Sequence, residues 1–434
     1  MNDPRKYLDQ EKMSRLQIIV VAITVLLNAI DGFDVLSISF AAPGIAREWG
    51  IAPAALGMVM SMELIGMAIG SFFLGGVADR FGRRPTILGC LGAMTLGMIL
   101  VTTASTPIQL SVWRVIVGLG IGGILACINA VVAEFSNIKS RAMCISIMVI
   151  GYPLGGIFGG MVASGLLQTH DWRAIFYFGA LLTGLLLPLT FFFVPESVHW
   201  LARKQPKKAL AKINTTLSRM KFPRVDGLPE DNGREEKLSL ASIFSPSLAP
   251  VTLILTTAYF LHITTFYFIL KWSPKIVADM GFAPALAGQV LVWVSIGGAT
   301  GAAIFGWMTT RVGLKKLTIA ILVLTSVFVA IFGRTSADLN QIKMLAAFAG
   351  FFGNAGISGL YSILAIAFPT HVRATGTGFV IGMGRAGAVV SPILAGLFFQ
   401  MGSGLPFVAL IMGLGSLLAG LALFWLKSPP SPAR

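Results

Sequence analysis

Long apolar runs recur along the whole chain and are separated by short polar segments. A helix needs about 20 mostly apolar residues to cross the hydrocarbon core of a bilayer, and these runs reach that length. They predict twelve membrane-spanning helices, at residues 16–42, 54–78, 85–104, 108–135, 141–168, 172–194, 249–272, 284–308, 314–333, 342–368, 373–400 and 404–427. The chain is therefore predicted to be an all-α polytopic membrane protein.

One long polar stretch, residues 195–248, interrupts this pattern between the sixth and seventh spans. It contains ten of the 33 lysines and arginines, and residues 200–217 have the composition of a short amphipathic helix. We interpret the stretch as a linker between an N-terminal six-helix bundle, residues 1–194, and a C-terminal six-helix bundle, residues 249–434.

The distribution of basic residues predicts the orientation of the spans. The side that contains both termini and the linker carries 25 lysines and arginines, whereas the opposite side carries five. By the positive-inside rule, both termini and the linker are predicted to lie in the cytoplasm. The basic residues behind the formal net charge of +15 are therefore explained as signals of membrane orientation, and nucleic-acid binding is not predicted.

Composition excludes several classes of protein. Charged residues make up 12% of the chain, about half of the proportion usual in soluble domains. Cys90, Cys127 and Cys144 lie in apolar segments without a C-x-x-C spacing or a histidine cluster, so no disulfide, metal site or cofactor is predicted. The sequence also offers no nucleophile–base pair, so we do not expect an enzyme.

The two halves of the chain repeat each other. A G-x-x-x-D-R-x-G-R-R loop at residues 75–84 has a partial copy, G-x-x-x-T-R-x-G-L-K, at residues 306–315, which lies 231 positions later. An Arg-Ala pair at residues 141–142 recurs at residues 373–374, 232 positions later. Nearly equal offsets on either side of the linker indicate a six-plus-six duplication, which is typical of transporters that alternate access to a central site.

These loops resemble the signature of the Major Facilitator Superfamily, and residues 114–123 (R-x-x-x-G-x-G-x-G-G) and 195–197 (P-E-S) agree with it. Residues 31–34 (DGFD) and 41–50 (AAPGIAREWG) resemble the aromatic acid:proton symporters within that superfamily. The resemblance implies a monomeric transporter of the bacterial inner membrane. It implies uptake of small aromatic carboxylates, such as hydroxybenzoates, driven by the proton gradient. Transport of another organic anion, or proton-driven export of drugs or metabolites, remains the alternative.

Two carboxylates inside the first span, Asp31 and Asp34, are the first candidates for proton coupling. A charge near the middle of a span costs at least about 2.5–3.5 kcal/mol on insertion scales, so two acids in one span need a reason. They are three residues apart and share a helix face, and Gly32 between them permits close backbone approach. Two adjacent, poorly solvated carboxyls cannot both ionise easily, which suits a proton carrier. The alternative is one acid at the interface or in a structural pair.

Arg114 and Glu63 complete the candidate coupling group. Arg114 lies ~9 Å and Asp34 ~12 Å inward from the outer ends of their spans, at 1.5 Å per residue. In the resembled fold both spans line the cavity, so Arg114 is predicted to reach the acid pair and to be released by protonation. A permanent salt bridge is the alternative. Glu63 either assists protonation or binds a basic neighbour. Close helix packing is predicted for the glycines after Arg114, at positions 118, 120, 122 and 123.

Arg385 is the main candidate for substrate binding. It lies ~18 Å from the cytoplasmic start of its span, close to the bilayer midplane, where an arginine could clamp a substrate carboxylate. A structural ion pair is the alternative. Further candidates, which could equally be packing or bridging residues, are Arg114, His262, Tyr259, Phe266, Asn129 and Asn354. Lys271 is expected to snorkel to the outer interface, or otherwise to attract anions.

A network of ion pairs and helix-end contacts is predicted to close the cytoplasmic side. In the resembled family, the signature aspartate of the first half contributes to this gate. Its counterpart in the second half is Thr310, so the two gates should differ in strength. The gating candidates are Asp79, Arg80, Arg84, Glu134, Arg141, Arg311 and Arg373.

Overall fold

The computed structural model describes residues 3–228, 240–309, 311–369 and 372–426. Thr310 and part of the linker lie outside the described residues. Sixteen α-helices and one 3-10 helix, Leu240–Phe244, form in the described part. The α-helices are α1 Pro4–Gln10, α2 Arg15–Trp49, α3 Pro53–Phe81, α4 Arg83–Thr102, α5 Pro107–Phe135, α6 Arg141–Leu166, α7 Arg173–Phe193, α8 Val198–Lys204, α9 Ala209–Arg219, α10 Ala249–Asp279, α11 Pro284–Met308, α12 Leu314–Phe332, α13 Leu339–Ala367, α14 Arg373–Gly384, α15 Ala386–Gln400 and α16 Leu405–Phe424.

Twelve helical stretches in the described part are long and apolar enough to cross a membrane, which confirms the predicted all-α polytopic class. Helices α2 to α7 provide six spans, and α10 to α16 provide the other six. Helices α14 and α15 together make one span, Thr375–Gln400, with a break at Arg385. Gly382, Gly384 and Gly387 surround the break, and glycine is a weak helix former because it gives up the most backbone freedom.

Local sequence explains where several helices begin. Helix α5 starts after Thr106, whose side chain accepts a hydrogen bond from the Gln109 backbone N–H, and Pro107 occupies the first helical position. Helix α13 starts after Asp338, whose side chain accepts from the Asn340 backbone N–H. Such caps satisfy backbone donors that have no partner within the helix.

The helices group into two compact units. The first unit contains Met1–Val35, Met62–Gly156 and Phe176–Glu235, and the second contains Leu36–Ser61, Ile157–Ile175 and Glu236–Arg434. The second unit therefore includes the predicted outer ends of several helices of the first sequence half. The division into bundles at residues 1–194 and 249–434, on either side of a linker at 195–248, stays a prediction.

Glycines bring α3 and α5 into backbone contact within the first unit. A Cβ atom on Gly118 would overlap the carbonyl oxygen of Glu63, and one on Gly122 would overlap that of Met67. Added Cβ atoms at Gly120 and Gly123 would also collide with neighbouring atoms. The predicted packing role of these glycines is confirmed, since only a residue without a side chain fits at such close helix crossings.

Replacement of Gly122 by alanine is expected to destabilise the protein by about 1–3 kcal/mol, because α3 and α5 must separate to admit the methyl group. At Gly76, also on α3, an added Cβ would have no atom within 4 Å, so Gly76→Ala is the matched control. The control should be neutral or slightly stabilising, because alanine is the better helix former. Thermal unfolding of the two variants in detergent provides the measurement. Equal melting temperatures would contradict the close helix crossing.

The second unit holds the predicted outer ends of α2, α3 and α6 against later helices. The Ser61 hydroxyl donates a hydrogen bond to the Val389 carbonyl at 2.7 Å, and a Cβ on Gly57 would overlap the Pro392 carbonyl oxygen. Arg173 forms an ion pair with Glu48 at 2.7 Å. These contacts join the start of α3 to α15, and the end of α2 to the start of α7.

Candidate functional site

Three ionisable side chains meet inside the first unit and form what we call the buried charge cluster: Asp34 on α2, Glu63 on α3 and Arg114 on α5. Arg114 forms an ion pair with Glu63, and its Nη2 donates a hydrogen bond to the Asp34 backbone carbonyl at 3.1 Å. All three side chains have no accessible surface. The Asp34 carboxyl interacts electrostatically with the charges of both Glu63 and Arg114.

The glycine contacts explain why Arg114 and Glu63 meet. Gly118 lies against the backbone of Glu63, and Arg114 is one helical turn before Gly118 on the same face of α5. The guanidinium therefore projects toward the Glu63 carboxylate. The Phe176 ring lies 5.4 Å from Arg114 Cζ, and Arg114 Nη1 contacts the Met98 sulfur at 3.8 Å. This aromatic and thioether lining keeps water away from the pair.

Glu63, for which the sequence left two roles open, lies beside a basic residue and forms an ion pair with Arg114. Asp34 contacts the same guanidinium, because its backbone carbonyl accepts a hydrogen bond from Arg114 Nη2. The roles of these residues in proton coupling stay predictions. Asp31, one turn earlier on α2, is 2% exposed. The neighbouring Gly32 packs against the Tyr152 carbonyl of α6, where an added Cβ would overlap.

A second group of side chains, which we call the tyrosine–arginine cluster, lies in the second unit. It comprises Tyr259 and Tyr267 on α10, Tyr361 on α13, and Arg385 at the break between α14 and α15. The Tyr259 and Tyr361 hydroxyls are 3.0 Å apart, and their rings stack with centroids 5.7 Å apart at an interplanar angle of 25°. Arg385 and Tyr267 both act electrostatically on the Tyr259 hydroxyl. The sequence pointed to Tyr259 and Arg385 but not to Tyr361.

His262 has the geometry of a packed histidine. Its Nε2 lies 2.9 Å from the Gly353 carbonyl, which can only accept, so Nε2 carries the proton. Its Nδ1 then accepts from the Ser416 hydroxyl at 2.8 Å, and the side chain has no exposed surface. Phe266 packs in the same region, where a Cβ on Gly353 would lie 2.6 Å from its ring.

The two asparagine candidates make helix contacts. Asn354 donates from Nδ2 to the Gly298 carbonyl at 2.8 Å and so bridges α13 and α11. Asn129 is exposed and donates to the Leu125 carbonyl of its own helix at 3.1 Å. The expectation that Lys271 snorkels to the interface is wrong, because its side chain has no exposed surface. Lys271 lies among the buried residues of α10.

The predicted gating group contains a charge network, but its central arginine differs from those proposed. Arg83 forms ion pairs with Asp79 at 2.6 Å and with Glu134 at 3.6 Å, and thereby connects α4 to α3 and α5. Arg84 instead donates to the Phe191 carbonyl at 2.6 Å, and Arg80 lies over the Phe81 ring. Asp79 is near the end of α3 and Arg83 begins α4, so the helical i,i+4 rule does not predict this pair from the sequence.

The remaining gating candidates contact other partners. Arg141 pairs with Asp9 at 2.5 Å, so α1 is tied to the start of α6. In the second unit, Arg311 lies 4.2 Å from the centre of the Trp307 ring, and Arg373 donates to the Phe368 carbonyl at 3.3 Å. The counterpart position Thr310 falls outside the described residues.

The Glu196 carboxylate accepts hydrogen bonds from the backbone at the N-terminus of α4, a contact that the sequence did not predict. One carboxylate oxygen accepts hydrogen bonds from the backbone N–H groups of Arg83 at 2.9 Å and Ser197 at 3.0 Å. Burial nevertheless raises the pKa of the Glu196 carboxyl, and the backbone donors only partly offset this. Gly82 has φ of 112°, in the range that favours glycine, and a Cβ there would overlap Glu196. The glycine of the loop motif at residues 75–84 and the glutamate of the P-E-S motif therefore both serve this contact.

A family model described as the Major Facilitator Superfamily matches residues 24–276 and 255–434, which together cover most of the chain. The protein belongs to this superfamily of membrane transporters and is not an enzyme. A solved bacterial homologue of the human lysosomal transporter Spinster has the same fold, with a TM-score of 0.77 and 14% identity. The match covers 97% of this chain and 100% of that one.

Relatives of the chain include transporters of aromatic acids. The gallate transporter of Pseudomonas putida is 28% identical over 422 residues, which cover 97% of this chain and 94% of that protein. The 4-hydroxybenzoate transporter PcaK of Pseudomonas putida is 29% identical over 397 residues, which cover 89% of this chain and 87% of that protein. The resemblance to aromatic acid transporters is thus confirmed at the level of homologues.

Proposed function

We propose that this protein is a proton-coupled symporter that takes up small aromatic carboxylates, such as hydroxybenzoates, across the bacterial inner membrane. Both termini then lie in the cytoplasm. The buried charge cluster of Asp34, Glu63 and Arg114 is the observation that carries this proposal. The gallate and 4-hydroxybenzoate relatives support the substrate class.

Ionisable side chains inside membrane spans are expensive, and they usually mark ion or proton pathways. Here two carboxyls and a guanidinium are held together without water access. A proton that enters through Asp31 and Asp34 removes a negative charge beside Arg114, which changes the balance of its contacts with Asp34 and Glu63. Such a change in local charge can select between two conformations of the surrounding helices.

The tyrosine–arginine cluster supplies suitable chemistry for the substrate. A guanidinium binds a carboxylate with two parallel hydrogen bonds, and we assign this role to Arg385, which lies at the break between α14 and α15. Tyrosine rings offer stacking surface to an aromatic ring. In this proposal the Arg83 network belongs to the cytoplasmic gate, and its ion pairs form and break as that side closes and opens.

Uptake of labelled 4-hydroxybenzoate, benzoate and protocatechuate by expressing cells, with and without an uncoupler, tests the proposal. Accumulation that an uncoupler abolishes is the expected result for at least one compound. Accumulation that resists the uncoupler would contradict proton coupling. Net efflux of a preloaded compound would indicate a proton-driven exporter, and absence of uptake for all three would direct attention to another organic anion.

Replacement of Arg385 by glutamine is expected to raise the half-saturation concentration for aromatic carboxylates by about 10- to 100-fold. A hydrogen bond to a charged group contributes about 1.5–3 kcal/mol, and each 1.4 kcal/mol is a factor of ten. Concentration-dependent uptake in proteoliposomes provides the measurement. Arg334→Gln, at an exposed loop arginine, is the matched control. An unchanged half-saturation concentration in Arg385→Gln would assign Arg385 a structural role.

A further inference from the structure

We infer that the hydroxyl pair of Tyr259 and Tyr361 recognises a hydroxyl group on the substrate ring, so that ring-hydroxylated benzoates are preferred over benzoate itself. The inference rests on the proposed function, because it assumes an aromatic carboxylate held by Arg385. It adds a selectivity element, Tyr361, which neither the family match nor the relatives assign.

The two tyrosine hydroxyls share one hydrogen bond, with their oxygens 3.0 Å apart, and either hydroxyl can be the donor. A phenolic oxygen has one proton and can also accept, so each hydroxyl of the pair keeps hydrogen-bonding capacity for a third group. In this inference the Tyr361 hydroxyl uses that capacity to bind the ring hydroxyl of the ligand.

The two tyrosines differ in exposure. Tyr259 is 2% exposed, whereas Tyr361 is 40% exposed, so Tyr361 is the more accessible of the two to a ligand. Stacking between the rings holds Tyr361 beside Tyr259. A donor held in place before the ligand arrives loses little freedom on binding, which is the condition for selective recognition.

The guanidinium and the phenols of the cluster suit different parts of the ligand. A guanidinium is the stronger partner for a carboxylate, because the hydrogen bond carries opposite charges and two donors act in parallel. The neutral phenol pair is then left for a neutral polar group at another position on the ring. A phenolic hydroxyl is both donor and acceptor, as is Tyr361, so the two groups match in either direction.

Gly384 sets the position of the pair. A Cβ atom on this residue would overlap Tyr259 Cδ1 and lie 2.9 Å from Cε1, so the ring rests directly on the backbone beside Arg385. Gly382, two residues earlier, has no atom within 4 Å of the place that a Cβ would take.

The first test compares inhibition of labelled 4-hydroxybenzoate uptake by unlabelled 4-hydroxybenzoate and by benzoate, in the wild type and in Tyr361→Phe. The wild type is expected to bind 4-hydroxybenzoate more tightly, and Tyr361→Phe should reduce that preference about three- to tenfold, the effect of one neutral hydrogen bond. Any general loss of folding affects both inhibitors equally and cancels in their ratio. Tyr177→Phe, at an exposed tyrosine of the other unit, is the matched control and should leave the ratio unchanged.

The second test uses the glycines of α14. Gly384→Ala should displace the Tyr259 ring and reduce the preference for 4-hydroxybenzoate, whereas Gly382→Ala should retain it. Tyr259→Phe should reduce the preference less than Tyr361→Phe does, because the Tyr361 hydroxyl is still present.

The outcomes separate this inference from the proposed function. If neither compound is transported or inhibits, the aromatic carboxylate assignment itself fails. If both bind and Tyr361→Phe weakens them equally, Tyr361 serves the carboxylate or the fold, and ring-hydroxyl recognition is overturned. The same holds if the preference is unchanged in Tyr361→Phe.

Discussion

Replacement of Arg114 by methionine is expected to abolish uptake and to lower the free energy of unfolding by about 3–5 kcal/mol. The guanidinium is fully buried and pairs with the Glu63 carboxylate, and its removal leaves that carboxylate in the membrane interior without its positive partner. Breaking one side of a buried ion pair is costly for this reason. Methionine preserves much of the side-chain length, so the loss reflects charge more than volume. Denaturation in detergent and uptake in proteoliposomes measure the two effects.

The double variant Arg114→Met with Glu63→Gln separates stability from transport. Replacing both members of a buried ion pair by neutral groups is often close to neutral for stability, so most of the lost stability should return. Transport should not return, because the charge pair itself is the proposed switch. Arg334→Met, at an exposed arginine, is the control for both assays.

Two results would contradict this interpretation. A double variant that is stable and accumulates substrate would mean that the pair only locks α3 to α5, which is the permanent salt bridge considered from the sequence. A single Arg114→Met variant of wild-type stability would mean that water reaches the site and solvates Glu63.

The partner of Arg114 illustrates what the sequence can and cannot predict. Hydropathy predicts all twelve spans because the bilayer imposes a length and an apolar character on each of them. Periodicity along one helix also shows that Asp31 and Asp34 share a face. It does not show which face of α3 is turned toward α5. That is decided by glycine contacts such as Gly118 against the Glu63 backbone, which can be known only when the helices are packed.

The tyrosine–arginine cluster makes the same point in the second unit. Arg385 attracts notice in the sequence because a charge in a span is rare, whereas Tyr361 is an ordinary aromatic residue of a membrane helix. Only the packing of α10 against α13 brings its hydroxyl to that of Tyr259. Lys271 shows the converse error: its place near a helix end suggested the interface, but the packing of α10 buries it completely.

Replacement of Asp31 by asparagine is expected to abolish concentrative uptake while exchange of substrate across the membrane continues. Asparagine has nearly the same size and polarity but cannot carry a proton, so the variant behaves as a carrier that is permanently neutral at this position. Asp31 lies one turn from Asp34 and is 2% exposed, and Arg114 forms its ion pair with Glu63, so the substitution leaves both members of that pair in place. The accumulated ratio of inside to outside substrate should fall to about one, the value for transport without a driving ion.

Proteoliposomes allow both properties to be measured on the same preparation. An imposed proton gradient should drive accumulation in the wild type and in Asp226→Asn, a control at an exposed acid of the linker, but not in Asp31→Asn. Counterflow against unlabelled substrate, without a gradient, should proceed in all three. If Asp31→Asn still accumulates substrate, Asp31 is not the coupling residue, and Asp34→Asn becomes the decisive variant. If counterflow is lost as well, Asp31 is needed for the conformational change or for binding, and its role as a proton carrier is not supported.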